Sequence, residues 1–317
     1  MSYRRLSKKP LLFRSFTGLT VSEFDDIYEE IESKYEEYER TRRQRLSEDV
    51  KEEEEKIRKR DVGAGRPFKL KARERFLMLL VYYRLYITYT LSGFLFDLDQ
   101  SNVCRDLSIL EPLVMQCVPL PRKLYKRTTA RRRLRTIEEV EQYFPAFKAF
   151  IDSTEQEIPR PKNKRRRKSH YSGRKKKHTV KTQLMVNTEG MILHKTGHKG
   201  GRKHDYDIYK HNHPITPSQV DNVVDLGYLG IEKDFPTVKS VLPIRKKKNT
   251  LLSSEDIKYN KNHSRLRIMV EHTICKIKKF GIMGTKFRNK LRRYNNISDI
   301  ISGLLNFRVM QSNRISI

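Results

Sequence analysis

Apolar residues recur at helical spacing near the start of the chain, and this pattern predicts a long amphipathic helix. A capping-box pattern, Thr20 followed three residues later by Glu23, predicts where this helix begins. Residues 52–60 are almost all charged, and the Gly- and Pro-containing stretch at 61–67 predicts a boundary. We therefore interpret residues 1–65 as an N-terminal helical segment with a charged linker. The apolar positions of the helix are Phe24, Ile27, Tyr28, Ile31, Tyr35 and Tyr38.

The next segment carries the pattern of three short helices. The first has an apolar stripe from Phe76 to Tyr83, the second is predicted at 90–96, and the third at 100–110 with Asp99 as its N-cap. Two short helices joined by a tight turn are typical of a helix-turn-helix, although an ordinary helical bundle gives the same pattern. We assign residues 66–135 to a helix-turn-helix DNA-binding domain that ends in a basic connector at 122–135. The side chains expected to reach base edges or phosphates are Gln100, Ser101, Asn102 and Arg105.

After a short helix predicted at 137–144, the periodicity changes to that of strands. Strands are predicted at 147–151, 178–187, 191–196, 220–225 and 238–243, with a hairpin turn at 188–190. Helices are predicted at 204–210, at 264–280 and around Ile297 to Leu305. This succession favours an α/β fold, a mixed sheet flanked by helices, over residues 136–317.

The charge of the chain indicates what it binds. Among 317 residues, 68 Lys and Arg outnumber 38 Asp and Glu, so the formal net charge is +30. Nucleic acid is the natural counter-charge, because neutralised phosphates release condensed counterions. No apolar run is long enough to span a membrane, no signal peptide is recognisable, and the three cysteines form no CxxC pair. We expect no membrane partner and a cytoplasmic, nucleoid-associated protein.

Three carboxylates stand out by their position. Asp152 is predicted just past the first strand, Asp225 at the end of the fourth, and Glu271 in the long helix near the end. If the first and fourth strands are neighbours, both aspartates lie where ligand sites form in open α/β sheets. Clustered acids repel one another unless a cation lies between them, and Mg²⁺ suits carboxylate oxygens. Each acid alone also fits a plainer interpretation: a cap, a strand-ending turn and a surface charge.

Basic residues surround these acids. Arg267 and Lys278 lie near Glu271 on one helix face and are placed to hold DNA phosphates, although helix salt bridges would explain the same spacing. Residues 162–177 are rich in Lys and Arg and are interpreted as a grip on the DNA being cut rather than a solvated loop. The residues predicted to bind DNA in this segment are Arg165, Arg166, Arg167, Arg174, Lys175, Lys176 and Lys177.

Five motifs occur in an order that resembles a known family. Their succession is similar to the DDE transposases of bacterial and archaeal insertion sequences, in the branch related to Harbinger elements. The resemblance covers residues 147–309, and more loosely the helix-turn-helix; it departs at Ser264, where some related families place a tyrosine. The motifs are Asp152-Ser-Thr-Glu155, Tyr171-Ser-Gly-Arg-Lys-Lys-Lys-His178, Gly201 through His204-Asp205, Asp225-Leu-Gly-Tyr-Leu-Gly230, and Arg267-x3-Glu271-x6-Lys278.

The resemblance implies a ribonuclease H-like fold in which Asp152, Asp225 and Glu271 bind metal. Two Mg²⁺ ions are expected, with Mn²⁺ as a substitute, and His204 and Asp205 are expected to support the ligands from behind. The implied activity is cleavage of double-stranded DNA at element ends and joining of the 3′ ends to target DNA, by a homodimer or higher oligomer. The alternatives are a transposase-derived DNA-binding protein, a nuclease without strand transfer, and a basic RNA-binding or ribosome-associated protein.

Overall fold

The computed structural model describes residues 1–48, 68–121, 148–212, 216, 219–246 and 251–313. Two compact units are present, Met1–Cys117 and Val118–Ile317. The predicted charged segment at 52–60, the boundary at 61–67, the basic connector at 122–135 and the short helix at 137–144 lie outside the described residues. Over the described ranges, every helix is too short or too polar to cross a membrane.

The first unit begins with helices α1 (Tyr3–Leu6), α2 (Pro10–Thr17) and α3 (Val21–Glu48). The predicted capping box of α3 is confirmed, because the Thr20 N–H donates to Glu23 Oε2 at 2.7 Å and the Glu23 N–H donates to Thr20 Oγ1 at 3.2 Å. Phe24 on α3 is fully buried, and its ring stacks on that of Phe76 with 4.8 Å between the centroids. The N-terminal helices therefore share one core with the helices that follow.

Helices α4 (Ala72–Leu85), α5 (Tyr89–Phe96) and α6 (Gln100–Cys117) form the predicted helix-turn-helix. Asp99 accepts a hydrogen bond from the Ser101 N–H at 2.7 Å, as expected of an N-cap. A Cβ on Gly93 would lie 2.4 Å from the Leu98 carbonyl oxygen, so the tight turn requires glycine there. Helix α6 continues past its predicted end at residue 110 and through Pro112, because the following apolar side chains are buried. These are Leu113, Val114 and Cys117.

The second unit is built on a mixed sheet of β1 (Lys148–Glu157), β2 (Tyr171–Ser172), β3 (Lys177–Val186), β4 (Ile192–Lys195), β5 (Lys199–Gly200), β6 (Asp221–Val223) and β7 (Ser240–Val241). Its strand order is β2-β3-β1-β6-β7, with β4 and β5 also paired to β3. β1 pairs with β3 in antiparallel and with β6 in parallel orientation. The predicted hairpin turn at 188–190 is present, with Gly190 at a φ of +84°.

Helices cover both faces of this sheet, so the predicted ribonuclease H-like α/β fold is confirmed. They are α7 (Lys164–His170), α8 (Asp205–Asn212), α9 (Ile231–Asp234), α10 (Ser254–Lys278), α11 (Gly281–Gly284) and α12 (Tyr294–Ser312). On one face, Ile151 and Met185 pack with Tyr209 of α8 in a buried apolar cluster. Helix α10 packs against β1, β3 and β6.

Predicted boundaries were also wrong at β1 and at helix α10. β1 does not end before Asp152 but runs on to Glu157, because polar residues beyond Asp152 are buried and paired with β3. Gln156, for example, is 5% exposed, and its Nε2 donates to the carbonyl oxygens of Ile282 and Thr285. Helix α10 begins at Ser254 rather than at residue 264. Its observed start is fixed by a capping box between Ser253 and Asp256.

Candidate active site

The register of two parallel strands brings Asp152 and Asp225 to the same level of the sheet. The last paired residues of β1 and β6 are Phe150 and Val223, and each aspartate lies two residues further on. The first and fourth predicted strands, here β1 and β6, are thus neighbours, as the sequence argument required. Asp225 also caps a 3₁₀ turn, because its Oδ1 accepts a hydrogen bond from the Gly227 N–H at 2.8 Å.

Arg267 of helix α10 lies between the two aspartates. Its Nη2 is 3.0 Å from Asp152 Oδ2 and 3.8 Å from Asp225 Oδ2. Burial raises the pKa of Asp152; Arg267 and a hydrogen bond from the Ser153 N–H lower it, while the charges of Asp225 and Asp205 raise it. Desolvation and the neighbouring acids outweigh the arginine, so this carboxylate favours an additional positive charge beside it.

Glu271 lies on α10 one turn after Arg267 and is exposed. In the described parts of the chain Glu271 forms no ion pair. The alternative interpretation, helix salt bridges of Glu271 with Arg267 and Lys278, is therefore not seen there. Nor do any three His, Cys, Asp or Glu side chains of those parts form a group that could hold a metal ion. The structure therefore brings two of the three predicted acids together and leaves the third outside their cluster.

The chemistry of the two aspartates still suits a hard divalent cation. Their Oδ2 atoms converge on one positive group, so the site already accommodates a cation between carboxylates. Mg²⁺ takes one or two carboxylates together with waters and phosphate oxygens, and the partial exposure of both side chains leaves room for such ligands. Asp152 and Asp225 therefore fit a magnesium site.

A buried polar network behind Asp152 joins the motif segments. Lys181 on β3 is 7% exposed, and its Nζ lies 3.0 Å from Asp205 Oδ1 and 3.4 Å from Glu155 Oε1. Gln183 Nε2 donates to the Tyr228 hydroxyl at 2.7 Å and to the Asp205 carbonyl oxygen at 3.2 Å. The network thus joins Glu155 and Tyr228, which follow the two aspartates in the chain, to Asp205 through Lys181 and Gln183.

Sequence reasoning gave no site role to Lys181 and Gln183, and it included Tyr228 only as a member of the motif that begins at Asp225. The available signal was a run of polar residues in the middle of a strand, which implies buried hydrogen bonds when the strand is central. His204, predicted to support the site, accepts a hydrogen bond through Nδ1 from the Tyr206 N–H at 3.4 Å, at the start of α8. Asp205 faces the network through Lys181, and its charge acts on Asp152.

The second unit also contains a basic groove. An open groove of about 1160 Å³ is lined by six Lys and Arg side chains together with Tyr171, Gly173 and His178. Arg166 is exposed outside the lining, and the predicted DNA-binding residues 174–177 are exposed at the turn between β2 and β3, where Lys177 pairs with Glu157 at 2.7 Å. The six lining cations are Arg160, Lys164, Arg165, Arg167, Lys168 and Arg202.

In the first unit, the predicted recognition residues are exposed at the start of α6. Arg105 Nη1 donates to Asn102 Oδ1 at 3.0 Å, and Gln100 Oε1 accepts from the Thr90 hydroxyl at 3.1 Å. Ser101 hydrogen-bonds Asp99 through its N–H. These side chains form an open polar surface at the N-terminal end of α6. In helix-turn-helix proteins this is the helix that enters the major groove of DNA.

Comparison with known proteins identifies the family. Residues 151–306 match the model of the DDE superfamily endonucleases, and residues 68–119 match the helix-turn-helix of DDE superfamily endonucleases. The chain belongs to the DDE superfamily endonucleases. A relative described as "Probable transposase for insertion sequence element IS702", from Microchaete diplosiphon, is 31% identical over 263 residues, which cover 82% of this chain and 87% of the relative. No solved structure matches the chain.

Membership explains both halves of the molecule. The helix-turn-helix match implies that this DDE superfamily endonuclease binds DNA through its first unit. The endonuclease match contains Asp152, Asp225 and Glu271, and enzymes of this superfamily generally depend on a divalent metal. The predicted relation to insertion-sequence transposases is therefore confirmed.

Proposed function

We propose that this DDE superfamily endonuclease is a transposase that cuts DNA at the ends of its element and joins the freed 3′ ends to target DNA. The observation that carries the proposal is the alignment of Asp152 and Asp225 around one positive charge at the end of a parallel strand pair. In the first step water attacks a phosphodiester and frees a 3′-hydroxyl. In the second step that hydroxyl attacks a target phosphodiester, forms a bond to its phosphorus and releases the 3′-oxygen of the target strand.

We further propose that Asp152, Asp225 and Glu271 hold two Mg²⁺ ions, for which Mn²⁺ can substitute. Bound metal would activate the attacking oxygen and stabilise the leaving oxygen. Asp152 presents its carboxylate oxygens from β1 and Asp225 from the turn after β6, and the ion pair of Lys181 with Asp205 restrains β3, the strand paired with β1. His204 and Asp205 act as positioning residues at the start of α8. Glu271 joins the site from α10, whose next turn back carries Arg267.

DNA contacts are assigned to three surfaces. Gln100, Ser101, Asn102 and Arg105 would recognise the element ends, since they are exposed at the start of α6. The groove cations and residues 174–177 would hold phosphates of the cut strand; phosphate contacts position DNA without reading its sequence. Arg166, which lies outside the groove lining, would add a phosphate contact to this second surface. The third surface is on α10, where Lys278 and Arg267 would contact phosphates. Because an element has two ends, we propose that a homodimer or higher oligomer assembles on DNA in the nucleoid.

The test is an assay with the purified protein, its own element ends, a target plasmid and Mg²⁺. Nicked ends and joined products are expected. Asp152→Asn should abolish both products and retain DNA binding, whereas Asp221→Asn, at the opposite end of β6, should retain activity. Glu271→Gln should resemble Asp152→Asn. Binding without cutting would favour a transposase-derived DNA-binding protein, and cutting without joining would favour a nuclease.

A further inference from the structure

Arg267 makes an unusual contact for an arginine that is expected to hold DNA. Its side chain is 16% exposed, and the nitrogen Nη2 faces both Asp152 Oδ2 and Asp225 Oδ2. Its Nε is buried without a hydrogen-bond partner among the described residues. The guanidinium is therefore directed at the carboxylate pair rather than at solvent, where phosphates would approach.

The oxygens that Arg267 contacts are those that a metal ion needs. Two carboxylates this close to one another repel unless a cation lies between them, and Arg267 supplies that cation in this structure. A divalent ion bound to the same Oδ2 atoms would repel the guanidinium across a distance of a few ångströms. The two cations thus compete for one position.

We propose that Arg267 is an internal counter-ion that occupies the Asp152–Asp225 pair until metal displaces it, so that metal binding releases the guanidinium. This inference rests on the proposed metal-dependent function. It makes Arg267 a positioning residue, which keeps the two carboxylates converged in the metal-free protein. It also assigns a sequence of events, since the arginine becomes available to a DNA phosphate only after the metal has bound.

The first test measures Mn²⁺ affinity of the full-length protein without DNA at pH 8, by electron paramagnetic resonance of free Mn²⁺. Arg267→Gln removes the competing charge and should bind Mn²⁺ on the order of tenfold more tightly. Arg267→Lys keeps the charge and should remain near the parent affinity. Lys258→Gln, which neutralises an exposed cation on the same helix, should leave the affinity unchanged.

The two proposals fail in different ways. Mn²⁺ binding that is absent, or that survives Asp152→Asn, would overturn the metal site itself. Binding that requires Asp152 but is no tighter in Arg267→Gln would overturn only the counter-ion role.

A second test uses the unaltered protein and does not depend on the folding of a variant. Phenylglyoxal modifies accessible arginines, and mass spectrometry of the peptides gives the rate at each position. Mg²⁺ should accelerate modification of Arg267 several-fold, while Arg265, two residues away and exposed, should keep its rate. An equal rate at Arg267 with and without Mg²⁺ would contradict displacement.

Discussion

Three cations of the groove offer a quantitative test of how this protein holds DNA. Arg165, Arg167 and Lys168 line the groove together with three further Lys and Arg side chains, and no acid is found among the described residues of its lining. Phosphate contacts through such side chains release counterions, so each contact contributes about 0.9 to the slope of log affinity against log salt. Replacing all three residues with Gln should therefore reduce the slope by about 2.7.

The magnitude is large enough to measure by fluorescence anisotropy. When salt is raised from 50 to 200 mM, both proteins lose affinity, but the factor lost by the variant should be roughly 40 times smaller than that lost by the parent protein, because its slope is smaller by about 2.7. The change should be the same on element ends and on random duplexes, because phosphates carry no sequence information. Full-length protein should be used, so that the helix-turn-helix contributes equally to every measurement.

A matched control separates local contacts from total charge. Lys233, Lys258 and Lys290 are exposed and lie outside the groove lining, so replacing them with Gln removes the same charge elsewhere. Their triple variant should keep the parent slope. Equal slope changes in the two variants, or no change in the groove variant, would refute the argument that the groove holds phosphates.

The remaining predictions concern recognition, stability and pH. Asn102→Ala with Arg105→Ala should weaken binding to element ends more than to random DNA in gel-shift titrations; equal losses would assign this surface to backbone contacts. Asp106→Ala should lower the free energy of unfolding in urea by about 3–5 kcal/mol, because it leaves the fully buried Arg75, 3.0 Å from Asp106, without its ion-pair partner. A loss below about 1 kcal/mol would contradict this. Burial lowers the pKa of His198 below its ordinary 6.5, so the unfolded chain takes up the proton first and stability is lost as pH falls below 6.5. His198→Gln should flatten the fall in melting temperature between pH 7 and 5, and an unchanged pH profile would count against it.

Local signals in the sequence determined many element boundaries. Thr20 and Glu23 set the start of α3, and Asp99 set the start of α6, because a cap depends only on residues two or three positions apart. The start of α10 was missed although Ser253 and Asp256 carry the same signal, since the first turns of this helix bear exposed apolar side chains such as Ile257 and lack a clean stripe. The end of β1 was missed because hydropathy alone does not show that polar residues such as Gln156 are buried.

The family, the helix-turn-helix and the order of the three acids also followed from the sequence by itself, because motifs and their succession are properties of the chain. What only the tertiary structure decided was which of these residues meet. The parallel register of β1 and β6 places Asp152 beside Asp225, and the packing of α10 puts Arg267 between them while leaving Glu271 exposed. The tertiary structure also decided the role of Lys181, whose ion-pair partners Glu155 and Asp205 are distant from it in sequence. Such contacts depend on sheet register and helix packing, which sum over many residues, and no short stretch of sequence specifies them.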